Sequence, residues 1–208
     1  MSPGSLVAVP ATTRLSGPMR LRRPALLLLV ALAALVLAAC GRPDQVLEAE
    51  TEGIYVDLSE LQYQVQASRQ LNPSDPADEP YLSGLPAGRQ DLEPDEAWFA
   101  IFLRANNPSD QPQPTATHFE VVDSQENEFF PLPLGPENQY AWPVEEEPVL
   151  VPSGDLIPRL GSPADEGPIG GGLILFKVPI SSLQNRPFEL IIEGPETDPA
   201  EAEISLDV

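Results

Sequence analysis

Proline is the residue that most constrains the fold of this chain. The 208 residues include 26 prolines, of which only four precede Cys40. Proline lacks a backbone N–H and has a fixed φ, so it is excluded from helix interiors and central strands but suits turns, loops and sheet edges. After Cys40 the prolines fall between short apolar runs. This spacing predicts an all-β protein whose short strands are joined by long Pro-rich loops.

The apolar runs mark the predicted strands. Residues 61–67 alternate between apolar and polar side chains, as in a strand with one buried face. Residues 97–105 and 173–178 are almost continuously apolar, which is typical of central strands buried on both faces. Further strands are predicted at 54–56, 117–122, 128–132, 188–193 and 202–208, with a candidate at 149–151. Seven or eight short strands separated by turns predict an antiparallel immunoglobulin-like β-sandwich.

Two long segments are predicted to be loops without regular structure. Residues 72–95 contain five prolines and exceed the usual loop length of about 12–15 residues. Prolines and glycines also dominate 131–168. Tyr81, Tyr140 and Trp142 fall in these loops, where burial against the sandwich is favoured over exposure to a ligand.

The segment around residues 19–41 has the pattern of an export signal. Arginines precede an apolar run at 25–39, and small residues precede Cys40. As a helix, this run would span about 22 Å, less than the hydrocarbon core of about 30 Å. A cleaved signal is therefore favoured over a membrane span. Plain secretion and an uncleaved anchor remain the alternatives.

The end of this signal resembles the lipobox of bacterial lipoproteins. Its four residues are Leu37, Ala38, Ala39 and Cys40. In that family a peptidase cuts before the cysteine once its thiol carries diacylglycerol. The resemblance implies that Cys40 is acylated and binds the lipid bilayer, and that the protein is held on the cell membrane facing outside the cytoplasm.

The predicted cleavage before Cys40 divides the chain into three parts. Residues 1–39 are a leader and signal peptide that is removed, and Met19 is an alternative start to Met1. Residues 40–53 are polar and acidic and are predicted to form a lipidated tether. Residues 54–208 are predicted to form one β-sandwich domain, since this length can bury a sizeable core.

The charge of the mature chain is strongly negative. All 32 Asp and Glu follow Cys40 against only seven Lys and Arg, which leaves a net charge of −25. Such a field repels nucleic acid, so no nucleic-acid partner is expected. Acylation of Cys40 would leave no thiol for a disulfide, a nucleophile or a metal. No cofactor is predicted.

Three stretches resemble the telokin-like, immunoglobulin-fold domains of bacterial exported lipoproteins. The first is the apolar strand 98–103 followed by the turn 106–109, with sequence NNPS. The second is the strand 119–124 leading to Phe129 and Phe130, and the third is 171–179, GGLILFKVP. The resemblance implies the fold and an exported location, but it transfers no site residue because the function of that family is mostly unknown.

Two acidic stretches are candidate ion sites. In 123–128, Asp123 and Glu126 provide oxygen ligands, although Glu128 and Leu134 depart from the EF-hand pattern. Glu145, Glu146 and Glu147 form an acidic run that could attract a cation or a basic partner. For both stretches a solvated loop is the favoured interpretation, and no metal site is predicted.

The sequence predicts a membrane-tethered protein without enzymatic activity. His118, the only histidine, has Asp123 and Ser124 nearby in sequence, but no nucleophile motif accompanies them. The favoured hypothesis is an envelope lipoprotein whose β-sandwich presents loops to an envelope protein partner. The alternative is a divalent-cation-binding envelope module that uses its acidic loops.

Overall fold

The computed structural model describes residues 45–89, 91–143, 148–195 and 200–207. The predicted lipobox, with Cys40, and the acidic run of Glu145, Glu146 and Glu147 lie outside the described residues. Within the described part, no helix is both long and apolar enough to cross a bilayer.

Strands dominate the described residues. Seven strands have three or more residues: β2 (Val56–Leu58), β3 (Leu61–Leu71), β4 (Glu96–Asn106), β6 (His118–Asp123), β10 (Gly172–Pro179), β11 (Phe188–Glu193) and β12 (Glu201–Leu206). Five have two residues: β1 (Glu48–Ala49), β5 (Gln113–Pro114), β7 (Glu128–Phe129), β8 (Leu150–Val151) and β9 (Leu156–Ile157). The helical segments are single turns: the 3-10 helices η1 (Glu79–Leu82) and η2 (Ser182–Gln184), and α1 (Pro163–Glu166).

These strands form two main sheets, as a β-sandwich requires. Sheet I has the order β1-β12-β11-β6-β7, and sheet II has the order β10-β4-β3-β2 with β9 beside β4. All pairings are antiparallel except that of β1 with β12. Inward side chains of both sheets, such as Phe99 and Leu190, share one buried cluster. The predicted all-β, antiparallel fold is confirmed.

Strand β4 is the centre of sheet II and is buried on both faces. Its odd-numbered residues 97–105 belong to the main core between the sheets. Trp98, Ala100 and Phe102 point to the opposite face and form a second core with the long loops. The Pro-rich loops therefore cover the outer face of sheet II, which explains why the β4 sequence is apolar without alternation.

A β-bulge changes the face of β3. Val65 is paired with Leu103, but the next paired residue, Ala67, faces Phe102. The extra residue between them moves Ala67 from the main core to the second core. The alternation over 61–67 predicts one buried face for all four apolar residues, and the bulge is the reason that Ala67 differs.

The domain includes residues that the sequence analysis places in a tether. The compact unit begins at Gln45 rather than at Ile54. Ala49 is 6% exposed and lies in the main core, while Glu52 accepts hydrogen bonds from the backbone N–H and the hydroxyl of Ser68. The physical reason is the β1–β12 pairing, which two residues are too few to reveal as a sequence pattern.

The loop at 72–95 contains an unpredicted 3-10 helix. Pro80 stands in the first turn of η1, where its missing N–H is not needed. Tyr81 is buried by contact with the rings of Phe102 and Tyr140. Trp142 is buried in the main core beside Tyr63 and Phe119. Burial of these two loop aromatics is confirmed.

Candidate functional site

The turn after β6 is organised around a buried carboxylate. Asp123 accepts hydrogen bonds from the backbone N–H groups of Gln125 at 2.9 Å and Asn127 at 3.0 Å. The Asn127 side-chain amide donates to both of its oxygens, and the Asn185 amide donates at 3.0 Å. Asp123 therefore joins the β6–β7 turn to η2, which lies about 60 residues later in the chain.

These contacts fix the charge state of Asp123. Burial would raise the pKa of this carboxyl, but the hydrogen bonds from Asn127, Asn185 and Gln125 outweigh burial and lower the pKa well below its usual range. The carboxylate is thus ionised and its lone pairs are largely occupied. It has a structural role in the turn.

An open groove of about 890 Å³ lies beside this turn. Its walls are the turn and β7 on one side and the segment around η2 on the other. The lining side chains are Gln125, Glu126, Asn127, Glu128, Phe129, Phe130, Pro179, Ser181, Ser182, Gln184 and Asn185. No lysine or arginine is among them. The groove therefore presents carboxylate, amide and hydroxyl groups next to an aromatic ring.

Phe130 is the exposed apolar feature of the groove. The residue is 62% exposed, whereas the neighbouring Phe129 packs against Phe188 in the core. Phe130 also lines a smaller groove together with Arg89 and Lys177, and Glu128 lines both grooves. The smaller groove therefore contains two cationic side chains and a carboxylate.

Strand register places the groove far from the N-terminal end of the domain. Phe188 pairs with both Asp123 and Leu206 at one end of sheet I, and Glu193 pairs with His118 and Glu201 at the other. The parallel β1–β12 pairing puts Gln45 near this second end. β1 and β7 are also the opposite edges of the sheet. The groove and Gln45 therefore occupy diagonally opposite corners, about 17 Å apart along the strands and about 19 Å across them.

Among the described residues, the structure does not bring the candidate ion ligands together. Asp123 is buried and occupied by N–H donors, while Glu126 is exposed in the same turn with a left-handed φ of 63°. Among the described residues, no three His, Cys, Asp or Glu side chains converge as metal ligands. Glu145, Glu146 and Glu147 lie outside the described residues, so the prediction for them stays a prediction.

His118 does not form a triad with the neighbouring acid and serine. It is exposed at the start of β6, and its Nδ1 lies 3.2 Å from Thr117 Oγ1. Asp123 ends the same strand, five residues and about 17 Å away. The three residues thus offer no serine–histidine–acid geometry.

The outer face of sheet I is predominantly acidic. Its glutamates are Glu48, Glu120, Glu128, Glu189, Glu193, Glu201 and Glu203, and Val122 and Ile191 lie between them on the same face. Glu48 pairs with Glu203 and Glu193 with Glu201, so like charges stand directly opposite one another. Partial burial, followed by the charges of neighbouring glutamates, raises the pKa of Glu120 and Glu203. The surface accordingly repels itself at neutral pH.

The sequence analysis misses the groove residues Phe130, Ser182 and Asn185. Phe130 falls in the predicted strand 128–132, and the two others fall between the predicted strands 173–178 and 188–193. The prolines at 131 and 133 are the sequence signal that indicates an exposed Phe130, because they end the strand before its ring is covered.

Comparison with known proteins supports the fold. No protein-family model and no curated protein matches the sequence. The structure is similar to the yjhA protein of Bacillus subtilis, with a TM-score of 0.50 and 12% identity over 76% of this chain and 99% of that chain. The fold is a β-sandwich. At this identity the likeness concerns the fold alone.

Two further structures have lower scores. The ycdA protein of Bacillus subtilis, provisionally described as a lipoprotein, has a TM-score of 0.44 and 12% identity over 76% of this chain and 39% of that chain. An uncharacterised β-sandwich protein of Clostridium difficile has a TM-score of 0.39 and 8% identity over 80% of this chain and 100% of that chain. These two weaker similarities support no conclusion beyond the likeness to yjhA.

Proposed function

We propose that this chain is a lipid-anchored envelope lipoprotein without enzymatic activity, whose β-sandwich presents the groove beside Phe130 to a protein partner. The observation that carries the proposal is the diagonal placement of Gln45 and the groove. A chain held at Cys40 would have its attachment at one corner of the domain and its open groove at the opposite corner.

The proposed anchor would hold the domain close to the membrane. Gln45, where the compact unit begins, is five residue steps after Cys40. At about 3.6 Å per step, this length of chain extends at most about 18 Å. This reach is much shorter than that of the tether at residues 40–53 expected from the sequence. The domain would therefore stay at the membrane surface, with the groove directed away from its attachment.

We also propose that the sandwich is of the telokin-like, immunoglobulin-fold type. The turn after β4, part of the sequence resemblance, is held by a buried asparagine. The Asn107 side chain donates to the backbone carbonyls of Gln111 and Val151, both at 2.8 Å, and accepts from the Ser109 N–H and hydroxyl. This network gives the resemblance a structural reason, since no shorter or apolar side chain could make these contacts.

The inference of a non-enzymatic role rests on the assignments of the candidate catalytic side chains. Asp123 is occupied by the turn, and His118 lies at the other end of β6. We rank divalent-cation binding second because the Asp123 carboxylate already accepts from four N–H-bearing groups. Calcium would have to displace these donors.

The anchor is tested by intact-mass analysis of the membrane-extracted protein. We expect a chain that begins at Cys40 and carries acyl chains, and we expect Cys40→Ser to abolish the added mass. A protein that retains residues 1–39, or an unmodified chain in the medium, would contradict the anchor.

The partner is tested by crosslinking in intact cells. A photoreactive amino acid at position 130 should give one defined crosslinked protein, whereas the same amino acid at position 160, equally exposed on a loop, should not. Equal patterns from both positions would contradict a partner at the groove.

A further inference from the structure

Exposed apolar side chains are concentrated at the beginning of the described domain. Of the eight large hydrophobic residues that are exposed in the described ranges, half fall between residues 46 and 55: Val46, Leu47, Ile54 and Tyr55. Each of these four is between 36% and 44% exposed. Neighbouring apolar groups at a protein surface are typical of contact sites for proteins or membranes. The fold therefore leaves an apolar surface partly uncovered directly after the predicted anchor.

These four residues lie along one edge of the sandwich, and we call them the β1/β2 edge. β1 is an edge strand of sheet I, and β2 is an edge strand of sheet II. The two strands are neighbours, because the backbone N–H of Asp57 donates to the Val46 carbonyl at 2.6 Å. Ile54 is three residue steps before Asp57. The two pairs of apolar residues are thus about 10 Å apart along the strand.

The charges of this edge favour a neutral surface as its occupant. Residues 46–57 contain four acidic side chains and no lysine or arginine. Two of them, Glu52 and Asp57, accept hydrogen bonds from other residues of the domain. The other two, Glu48 and Glu50, are exposed. A negatively charged surface would be repelled by these two carboxylates, whereas an uncharged one would not.

We infer that the β1/β2 edge lies against the lipid bilayer in which Cys40 is anchored. The inference rests on the proposed function, which supplies the anchor. Gln45 is five residue steps after Cys40, so the chain brings the start of the domain within about 18 Å of the lipid attachment. Tyrosine is enriched where a membrane meets water, because its ring is apolar and its hydroxyl is polar. Tyr55 with its aliphatic neighbours matches the headgroup region of a bilayer.

A second copy of the chain is a less suitable occupant of this edge. A twofold interface would bring the same exposed glutamates of both copies together. Contact with the bilayer also agrees with the position of the groove, since β7 is the opposite edge of sheet I. A domain that lies on its β1/β2 edge would direct Phe130 away from the membrane.

The test uses the acylated full-length protein in phosphatidylcholine vesicles. Acylation of Cys40 leaves no other thiol, so one introduced cysteine can be labelled with the environment-sensitive fluorophore NBD. Tyr55→Cys reports on the β1/β2 edge, and Phe130→Cys is the control at the opposite edge, where the residue is more exposed. Lipids with bromine on their acyl chains quench a fluorophore that they approach closely. They should quench the label at position 55 about threefold more than the label at position 130, or better.

Double variants in the Tyr55→Cys background test which side chains make the contact. V46E/I54E places two charges on the edge and should reduce the quenching by about threefold. E48Q/E50Q removes two charges from the same edge and should not reduce it. Replacing part of the phosphatidylcholine with anionic phosphatidylglycerol should weaken the quenching, except in E48Q/E50Q. Thermal unfolding confirms that each variant is folded.

Three results would overturn the inference. They are equal quenching at positions 55 and 130, unchanged quenching in V46E/I54E, and a blue-shifted emission at position 55 without quenching by bromine. The last result would mean that the edge is buried against protein, such as a second copy of the chain.

Intact-mass analysis of the reconstituted protein separates this inference from the proposed function. If the acyl chains are present and position 55 is not quenched, the anchor stands and the bilayer contact is wrong. If the acyl chains are absent, the anchor and the contact are both wrong. A missing crosslink at position 130 in cells would contradict the groove partner and would leave the quenching at position 55 unchanged.

Discussion

At the scale of single residues, Asp123 has the most consequences for this structure. The residue is 3% exposed, and its carboxylate connects two segments that are distant in sequence. A buried carboxylate of this kind is stable only while its hydrogen bonds are intact. Asp123 therefore sets the shape of the turn and the orientation of the amides that line the groove.

Replacing Asp123 with asparagine should destabilise the fold. Asparagine can accept hydrogen bonds at one atom only, and its own NH₂ would face the donors of Asn127 and Asn185. We expect the free energy of unfolding to fall by about 3 kcal/mol, measured by urea denaturation at pH 7. Glu126→Gln is the matched control in the same turn, and its exposed side chain should change stability by less than about 0.5 kcal/mol. Equal stabilities would contradict the role assigned to Asp123.

The spacing of acids in 123–128 makes Asp123 a candidate ion ligand in the sequence, although a solvated turn is the favoured interpretation. The role that Asp123 has in the structure, as a buried hydrogen-bond acceptor, depends on Asn185. The position of Asn185 relative to Asp123 follows from the β6–β11 register and not from local sequence. An Asx turn explains the contacts with Gln125 and Asn127, but it leaves the second segment unknown. Local spacing thus identifies Asp123 as a candidate site residue, but it does not identify the groups that donate hydrogen bonds to it.

At the scale of elements, β1 shows how much two residues can matter. Ala49 is paired with Ile204 and lies in the main core, although Glu48 beside it is exposed. The hydroxyl of Thr51 donates to Asp207 at 2.8 Å. The residues of β1 are accordingly part of sheet I.

Ala49→Asp should therefore weaken the domain, whereas Glu48→Asp should not. A charge at residue 49 would be placed in the main core without a partner, and we expect a loss of roughly 3 kcal/mol or more in unfolding free energy. Glu48→Asp keeps an exposed charge and should stay within about 0.5 kcal/mol of the unsubstituted protein. Both are measured by thermal and urea unfolding. If Ala49→Asp proves neutral, residues 45–53 belong to a tether after all.

Long strands are the elements that sequence predicts well. β4, β10 and β11 agree with the predicted runs at 97–105, 173–178 and 188–193 to within a residue at most boundaries. Their apolar side chains are buried on one or both faces, and that burial is what the sequence pattern records. β1, β5 and β9 have two residues each, so they exist through pairing with distant strands and carry no period of their own.

At the scale of the whole molecule, the distribution of charge is uneven. The seven glutamates on the outer face of sheet I have no Lys or Arg within the same five strands. Among the described residues, the cations that form ion pairs are Arg69, Arg104 and Lys177, and all three lie in sheet II. Sheet I therefore bears a repulsion that the folded state must overcome at neutral pH.

Stability should consequently increase as the pH falls from 7.5 toward 5. The raised pKa values of Glu120 and Glu203 mean that folding favours their protonated forms, so their unfavourable contribution disappears as pH falls through the folded pKa. The lowered pKa of Asp123 has the opposite sign, and its stabilisation is lost only below the ordinary aspartate value of 3.8. Calorimetric melting temperatures across this range would show a maximum on the acid side of neutrality.

Two controls identify the source of this pH dependence. E201Q/E203Q should flatten the rise between pH 7.5 and 5, and about 1 M salt should reduce it by screening. Measurements in a His118→Gln background exclude titration of the only histidine. A melting temperature that is constant or falls over this range would contradict the proposed repulsion.

The two tryptophans of the chain lie one in each core. Trp142 is surrounded by the side chains between the two sheets, and Trp98 lies under the Pro-rich loops on the far side of sheet II. Replacing either with phenylalanine would leave a single indole fluorophore. The fluorescence of the remaining tryptophan, followed during unfolding, would then show whether the loop layer detaches before the sheets separate or together with them.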